Sequence, residues 1–319
     1  MPNQEAGEND IYYAYRLLLG REPDAGGFEH YRHVLGRQHL TPGELANSFL
    51  GSSEFAERNK QLPVEVELDG YSIFVGPRDR DIGASIQTAH QYEPHVTAAI
   101  REVLRPGNVF VDVGANIGFF TNLAAHLVGA GGRIVAVEPM DKNLQLIYLS
   151  LESNGFEHVD VHACAASDRN GIVCVTTGPG TSNGQVVRTS NADRTLLPSQ
   201  TRRLDDLTAG LARIDLVKFD IEGYELLAWR GFHNGLQKHR PVVLTEFHPY
   251  CMREYVGIDP RDYLDALFHY SGRIEVLARD GLRHGCVSAA DVMHYWEMTD
   301  KSSGGNGTDH LDLLIQPEP

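Results

Sequence analysis

The segment with the clearest chemical potential is V-F-V-D-V-G-A-N-I-G-F-F-T, which runs from Val109 to Thr121. Its apolar residues predict a buried strand that ends in Asp112, followed by a tight turn and a helix. The turn consists of Gly114, Ala115, Asn116, Ile117 and Gly118. Such a turn brings backbone N–H groups and a helix N-terminus close to a ligand. Gly114 is expected where a Cβ atom would collide with that ligand.

The turn differs from a dinucleotide fingerprint in two ways. Asn116 occupies the place of the middle glycine of G-x-G-x-x-G, and the strand ends in an acid. A carboxylate at Asp112 would repel a pyrophosphate but attract an amino group, which favours S-adenosylmethionine over NAD. Glu138 lies 20 residues beyond Gly118, at a spacing suited to a carboxylate that binds both ribose hydroxyls.

Two later strand ends also carry polar side chains. Asp220 ends one strand, and Glu246 and His248 end the next. An alcohol acceptor needs a base before it can attack a methyl group, and Asp220 and His248 are the candidates. Alternatively, Asp220, Glu246 and His248 together bind a divalent ion such as Mg²⁺, which would acidify a hydroxyl. In a purely structural alternative, Glu222 caps the next helix and the other two side chains hydrogen-bond to loops.

Composition narrows the class of protein. The 319 residues include 28 Lys and Arg against 43 Asp and Glu, a net charge of −15, and 42% are hydrophobic. This acidity argues against nucleic acid as a partner. The N-terminus lacks the features of a signal peptide, and no apolar run reaches the roughly 18 residues of a membrane span. The four cysteines form no C-x-x-C pair. We therefore expect a cytoplasmic protein with reduced thiols and no membrane partner.

The pattern of apolar residues predicts a small all-α module followed by an α/β domain. Residues 1–60 show helical spacing, with Gly20 at the end of the first helix and Thr41 as the N-cap of the third, before Pro42. Residues 64–83 alternate around Asp69–Gly70, as in a β-hairpin.

From residue 109, short apolar strands alternate with helices, which predicts a mainly parallel, doubly wound sheet that includes residues 172–176. Residues 177–199 and 299–309 are predicted to be loops, the first a candidate lid.

The chain resembles the FkbM-type methyltransferases over about residues 64–250. The motifs that carry the resemblance are Y-E-P (Tyr92–Pro94), D-V-G-A-N-I-G-F-F-T, V-E-P, A-A-S-D (Ala165–Asp168), L-D-D-L (Leu204–Leu207), V-K-F-D-I-E-G-Y-E (Val217–Glu225) and T-E-F-H-P (Thr245–Pro249). Separately, Leu18–Phe28 and Phe49–Phe55 resemble a small helical module of unknown function. That module is often attached to glycosyltransferases, methyltransferases and surface proteins.

The resemblance implies a class I, Rossmann-like methyltransferase fold that uses S-adenosylmethionine. It also implies roles for matching residues. Those implied to contact the cofactor are Asp112, Gly114, Asn116, Gly118 and Glu138. Ala165 and Ala166 would end the third strand beside the adenine. Glu93 would lie near the methionine end, although an acid before Pro94 is equally typical of a helix start.

The expected function is O-methylation of a hydroxyl on a sugar, a glycan or a secondary metabolite. One alternative is N-methylation of a small-molecule amine, in which a carboxylate such as Asp220 orients a cationic acceptor. Another is a binding module that keeps the fold without activity. The helices of residues 1–60 are a candidate surface for homo-oligomerisation.

Overall fold

The computed structural model describes residues 5–19, 21–59, 62–77, 79–177, 182–187 and 196–318. The chain divides into two compact units. The first comprises residues 1–63 with 76–78, and the second comprises residues 64–75 with 79–319. None of the described helices is both long enough and apolar enough to cross a lipid bilayer. The predicted end of the first helix, Gly20, and parts of the predicted lid, 178–181 and 188–195, lie outside the described residues.

The first unit is helical, as predicted. Its helices are α1 (Glu8–Leu18), α2 (Ala25–Gln38), α3 (Pro42–Leu50) and α4 (Ser53–Asn59). The side chain of Thr41 accepts the N–H of Glu44, whose carboxylate accepts the N–H of Thr41, which confirms this N-cap. Phe49 is fully buried and stacks on the ring of Tyr31 at a centroid distance of 4.1 Å. A compact aromatic core therefore holds these short helices together.

The second unit begins with a hairpin and two helices and continues as alternating strands and helices. Its strands are β1 (Val64–Glu67), β2 (Ser72–Val75), β3 (Val109–Val113), β4 (Arg133–Val137), β5 (Val159–His162), β6 (Ala165–Ala166), β7 (Gly171–Thr177), β8 (Gly184–Val187), β9 (Leu197–Arg202), β10 (Leu216–Phe219), β11 (Val242–Phe247), β12 (Ile274–Leu277), β13 (Arg283–Cys286) and β14 (Leu311–Ile315). Its helices are α5 (Ile82–Ala89), α6 (Pro94–Val103), α7 (Phe119–Val128), α8 (Asp141–Asn154), α9 (Leu204–Leu207), α10 (Glu225–Arg230), α11 (His233–His239), α12 (Pro249–Cys251), α13 (Pro260–Tyr270) and α14 (Ala289–Ser302), with a π-helix at Met252–Val256.

Eight of the described strands form one sheet in the order β13-β12-β14-β11-β10-β3-β4-β5. The strands from β11 to β5 are parallel, whereas β14 runs antiparallel between β11 and β12. Alternate residues of β3 face two separate cores: Val111 belongs to the core that contains Trp229, and Phe110 belongs to the core that contains Leu123. A mainly parallel sheet covered on both faces confirms the predicted doubly wound, Rossmann-like fold.

Three predictions about this unit were wrong in part. Residues 172–176 belong to β7, which pairs with β9 and β8 in a separate sheet rather than in the main one. Residues 184–187 and 197–199 of the predicted loop are strands of that smaller sheet. In the other predicted loop, α14 continues to Ser302, and buried Asp300 accepts N–H groups of Gly307 and Asp309. Polar side chains thus form specific hydrogen bonds in a segment whose composition alone predicts an irregular loop.

The predicted hairpin is confirmed, and α8 holds it in place. Val64 pairs with Val75 at one end of the antiparallel ladder. The amide of Asn154 bridges Ser72, because Oδ1 accepts its N–H at 2.7 Å and Nδ2 donates to its carbonyl oxygen at 2.7 Å. Ser150 Oγ accepts the N–H of Phe74 at 2.9 Å. Polar side chains of one helix therefore satisfy the backbone hydrogen-bonding groups at the outer edge of β2.

We expect Asn154→Ala to destabilise the protein by about 1–3 kcal/mol, because both backbone groups of Ser72 lose a partly buried partner. Chemical denaturation followed by circular dichroism measures the loss. Glu152→Ala, at an exposed position on the same helix, is the matched control. An unchanged denaturation midpoint in Asn154→Ala would show that water replaces the amide at no cost.

Candidate active site

A cavity of about 300 Å³ opens where the carboxyl ends of β3, β4, β10 and β11 meet. This is the position at which doubly wound sheets bind their ligands, and its size is that of a small-molecule site. Its acidic and imidazole lining includes Glu93, Glu138, Asp220, Glu222, Glu246 and His248. Most of the predicted site residues therefore line the same cavity.

The turn after β3 crosses directly beside the end of β10. Gly114 has φ +87°, and a Cβ built there would lie 1.8 Å from the carbonyl oxygen of Asp220. The neighbouring backbone alone therefore excludes a side chain at Gly114, and the expectation that a ligand also does so stays a prediction. Gly118, also with φ +87°, faces Ile147 and does not line the cavity. Both glycines thus permit close packing of the turn, and Gly114, Ala115 and Asn116 line the cavity.

Asn116 connects this turn to the smaller sheet. Its backbone takes a left-handed conformation with φ +50°. Its Nδ2 donates to Oδ1 of Asn183 at 2.8 Å, and its own Oδ1 is buried without a hydrogen-bond partner among the described residues. A buried unpaired acceptor that lines a cavity is a feature that a bound ligand would satisfy.

Asp112 is fully buried inside β3 and does not line the cavity. Its Oδ2 accepts the hydroxyl of Thr121 at 2.6 Å, and burial raises the pKa of its carboxyl. In the sheet register it lies opposite Lys218 of the neighbouring strand. The expectation that Asp112 faces a ligand's amino group is therefore corrected, because the cation it faces belongs to the protein.

Lys218 is the buried cation of the site, and the sequence analysis missed it. Its Nζ donates to Oδ2 of Asp220 at 2.5 Å and lies 4.7 Å from the ring centroid of Phe120. Burial opposes its charge, but Asp220, Asp112 and Glu93 more than compensate and raise the pKa of the ammonium. The sequence did contain a signal for this residue, because Lys218 lies within an otherwise apolar strand, two residues before the candidate acid Asp220.

Glu138 follows β4 and orders the loop around it. Its Oε2 accepts the N–H of Asn116 at 2.9 Å, and its Oε1 accepts the N–H of Met140 at 2.9 Å and Nδ2 of Asn143 at 3.2 Å. Burial raises its pKa to about 7 despite these donors. Its carboxylate lines the cavity and keeps acceptor capacity for a further hydroxyl.

Ala165 and Ala166 also line the cavity, together with Cys164. They do not end the third strand of the main sheet, which stops at His162. They form β6, which pairs with β9 in the smaller sheet. The cavity wall on this side is therefore small and apolar, and it depends on the junction of the two sheets.

The acids after β10 divide into two roles. Glu225 is fully buried, and its Oε1 accepts the N–H groups of Ile221 (3.0 Å) and Gly223 (3.1 Å), so it braces the loop. Glu222 instead lines the cavity, in a left-handed conformation with φ +54°. The alternative that Glu222 caps the following helix was wrong. Burial, followed by the charge of Asp220, raises the pKa of Glu222 to about 7.

Glu246 and His248 lie on the same side of the chain at the end of β11. Burial, followed by the charge of Asp220, raises the pKa of Glu246 well above its usual value, and its Oε2 is buried with no partner among the described residues. Burial, followed by neighbouring His310, lowers the pKa of His248 to about 4. Around neutral pH, His248 is therefore an uncharged hydrogen-bonding group and a weak base.

Glu93 enters the cavity from the residue before α6, with φ +39°. Burial, followed by the charges of Asp312 and Asp220, raises its pKa to about 8. Its Oε2 is another buried atom without a hydrogen-bond partner among the described residues. Glu93 therefore both precedes a helix and faces the cavity, where a ligand could contact it.

The predicted metal-binding set of Asp220, Glu246 and His248 does not converge. Within the described ranges, the group of acidic, His and Cys side chains with ligand atoms all within 4.8 Å of one another is Glu222, His248 and Cys251. Mg²⁺ prefers an all-oxygen set, so a thiol and an imidazole do not fit it. Burial, followed by the charge of Glu222, raises the pKa of the Cys251 thiol.

The raised carboxyl pKa values make stability depend on pH. In the unfolded chain these carboxyls are ionised above about pH 5, whereas burial, the largest cause for each, raises the folded pKa of Glu93 and Glu225 to about 8. The folded state therefore holds more protons, and the free energy of unfolding falls as pH rises. We expect a decrease of about 1–2 kcal/mol per such group between pH 6.5 and 8, measured by guanidinium denaturation.

Glu225→Gln keeps an acceptor for the loop but cannot titrate, so it should flatten this pH dependence. The exposed substitution Glu297→Gln, on α14, should leave it intact. A wild-type protein whose stability is constant or rises over this interval would contradict the assignment of protonated carboxyls.

Comparison with known proteins agrees with this geometry. The model of the methyltransferase FkbM domain matches residues 112–264. The 31-O-demethyl-FK506 methyltransferase FkbM of Streptomyces tacrolimicus is 29% identical over 179 residues, which are 46% of this chain and 67% of that protein.

Solved structures also align with the chain. The methyltransferase FkbM of Methylobacillus flagellatus KT is 18% identical with a TM-score of 0.39, over 95% of this chain and 58% of that one. An O-methyltransferase of Bacillus cereus, in complex with S-adenosylhomocysteine, is 15% identical with a TM-score of 0.38, over 73% of this chain and 86% of that one. This chain thus spans little more than half of the Methylobacillus protein. The domain match begins at Asp112 and includes Asp220 and Glu246, so residues 112–264 of this chain are similar to the methyltransferase FkbM domain.

Proposed function

We propose that this protein transfers the methyl group of S-adenosylmethionine to a hydroxyl group of an uncharged small molecule, such as a sugar or a secondary metabolite. The observation that carries the proposal is a single cavity with hydrogen-bond acceptors for a nucleoside at one end and titratable acids at the other. Glu138 and Asn116 supply the first end, and Asp220, Glu222 and His248 supply the second.

The donor fits the cavity by the chemistry of its lining. Glu138 has acceptor capacity for ribose hydroxyls, and the small side chains of Ala165 and Ala166 leave room for an adenine. Glu93 offers a carboxyl group to the amino group of the methionine tail. When bound, the donor supplies an electrophilic methyl carbon, and the protein residues orient it and exclude water.

The acceptor hydroxyl needs a group that takes its proton as the oxygen attacks. Glu222, with a pKa raised by burial to about 7, suits a general base at neutral pH better than His248, whose pKa burial lowers to about 4. We assign Glu222 as the base. His248 and Asp220 orient the acceptor and the loop that carries Glu222.

The choice of an uncharged hydroxyl rests on two observations. The cavity contains several carboxyls, which would repel an acceptor that carries a carboxylate or a phosphate. The name of the Streptomyces relative, a 31-O-demethyl-FK506 methyltransferase, describes methyl transfer to an oxygen. An amine acceptor would be attracted to the acids, so amines belong in the test as the competing outcome.

We expect Glu138→Ala to weaken binding of S-adenosylmethionine and S-adenosylhomocysteine equally, by at least about tenfold, because both share the ribose. Isothermal titration calorimetry measures both affinities. Asp141→Ala, at an exposed position three residues further on, is the control. Unchanged affinity for both ligands in Glu138→Ala would place the ribose elsewhere.

For the reaction, Glu222→Gln, Asp220→Asn and His248→Ala should each bind the donor within about threefold of wild type. Transfer of labelled methyl to a panel of hydroxyl and amine acceptors should fall by about 10²-fold or more in Glu222→Gln, the range that loss of a general base costs. Normal turnover in Glu222→Gln would exclude it as the base. Labelling confined to amines would replace O-methylation by N-methylation, and no labelling with any acceptor would favour a binding module.

A further inference from the structure

A second and larger space lies next to the candidate active site. It is an open groove of about 870 Å³, and residues of the smaller sheet, of α10 and of the π-helix form its walls. Val186 and Tyr224 line both this groove and the active-site cavity, so the two spaces meet at these residues. The groove is therefore continuous with the site.

Strand β7 supplies a wall that the two spaces share. Val175 lines the active-site cavity, whereas Val173 lines the groove. Because side chains alternate along a strand, these two valines lie on the same face of β7, about 7 Å apart. Val186 of β8 pairs with Val175 and continues the same wall. A ligand that lies along this face can therefore contact the groove and the cavity at the same time.

The loop after β10 connects the groove to the proposed base. Glu222 lines the cavity, and Tyr224, two residues later, lines both spaces. Leu227, within α10, lines the groove alone. The carboxyl group that we assign as the base therefore belongs to a residue only two positions from the boundary between the two spaces.

The groove differs from the cavity in the chemistry of its lining. Among the described residues that line it, Asp168 is the single acid, and Arg169 and Arg230 are exposed donors for oxygen atoms of a ligand. Its aliphatic side chains belong to Ile172, Val173, Val186, Leu227, Val256 and Ile258. Ile172 is 75% exposed, so an apolar ligand that covers it removes apolar surface from water.

The volumes of the two spaces indicate how donor and acceptor divide them. The cavity measures about 300 Å³, which is at the lower limit for sites that enclose a ligand of drug size. S-adenosylmethionine contains an adenosine and an amino-acid tail, and it occupies most of such a space. The cavity therefore has room for the reacting hydroxyl and the atoms next to it, and the rest of a larger acceptor must lie outside.

We propose that the groove binds an apolar body of the methyl acceptor, while the reacting hydroxyl passes Tyr224 into the cavity. This inference rests on the proposed function and narrows its substrate class. The acceptor is an uncharged molecule that joins a hydroxyl-bearing part, such as a sugar, to an apolar part too large for the cavity. Arg169 and Arg230 donate hydrogen bonds to its oxygen atoms at the groove.

Cys174 provides a reporter inside the groove. It lines the groove and is partly exposed, whereas Cys164, Cys251 and Cys286 are buried. The test treats the full chain with N-ethylmaleimide in the presence of saturating S-adenosylhomocysteine and follows the modification of each cysteine by mass spectrometry. Octyl β-D-glucoside, below its micelle concentration, is the probe, and methyl β-D-glucoside presents the same sugar without the apolar chain.

We expect octyl glucoside to slow the labelling of Cys174 at least about fivefold, and methyl glucoside less than about twofold, because only the octyl chain buries apolar surface. Ile172→Asp should reduce this protection at least about threefold, since a carboxylate would face the alkyl chain. Val287→Asp is the matched control, because Val287 is 73% exposed and does not line the groove. Both variants should keep the affinity for S-adenosylhomocysteine.

Three results would overturn the inference and leave the proposed function standing. They are no protection by octyl glucoside, equal protection by the two glucosides, and full protection in Ile172→Asp. Labelling that slows as the protein concentration rises, without any glucoside, would overturn it as well, because a second copy of the chain would then cover the groove.

Failure of S-adenosylhomocysteine to bind the wild-type chain contradicts the proposed function instead. The two glucosides are compared on the wild-type chain, so this comparison gives a decisive result even where Ile172→Asp does not fold.

Discussion

The site depends on one buried ammonium placed among acids. Lys218 lies on the strand next to Asp112, donates to Asp220 and faces the ring of Phe120. Without it, Asp112 would be an uncompensated carboxylate in the middle of a parallel sheet, and Asp220 would lose the partner that fixes its orientation. Asp112, which precedes the glycine turn, is therefore a buried structural residue. Asp220, which shares the same lysine, lines the cavity.

Close contacts between backbone segments bring these side chains together. The turn at Gly114 touches the carbonyl of Asp220, and a Cβ at Gly231 would lie 1.9 Å from the carbonyl of Ser167. These contacts draw the ends of neighbouring strands together and leave no room for side chains between them. Glu225 then holds the loop that follows β10 through two backbone N–H groups. The chemistry at Glu222 is thus positioned by hydrogen bonds and steric contacts outside the cavity.

The sequence predicted the main sheet, the hairpin and most of the cavity, because buried strands and glycine turns leave strong local patterns. It could not place β6, β7, β8 and β9 in their own sheet, since strand pairing is a long-range property. It assigned Asp112 to a ligand and overlooked Lys218, because only the sheet register brings the two together. One of its alternatives made Glu222 a helix cap, because the sequence does not reveal that Glu225 is the acid that holds the loop.

The raised pKa values of the carboxyls that line the cavity have one physical origin, which is the burial of several acids close to one another. Burial and mutual repulsion favour protons on Glu93 and Glu222, with pKa values of about 8 and 7. A sulfonium within the cavity favours the ionised forms, since an opposite charge a few ångströms away lowers a carboxyl pKa. Entry of the donor would therefore free Glu222 to accept a proton.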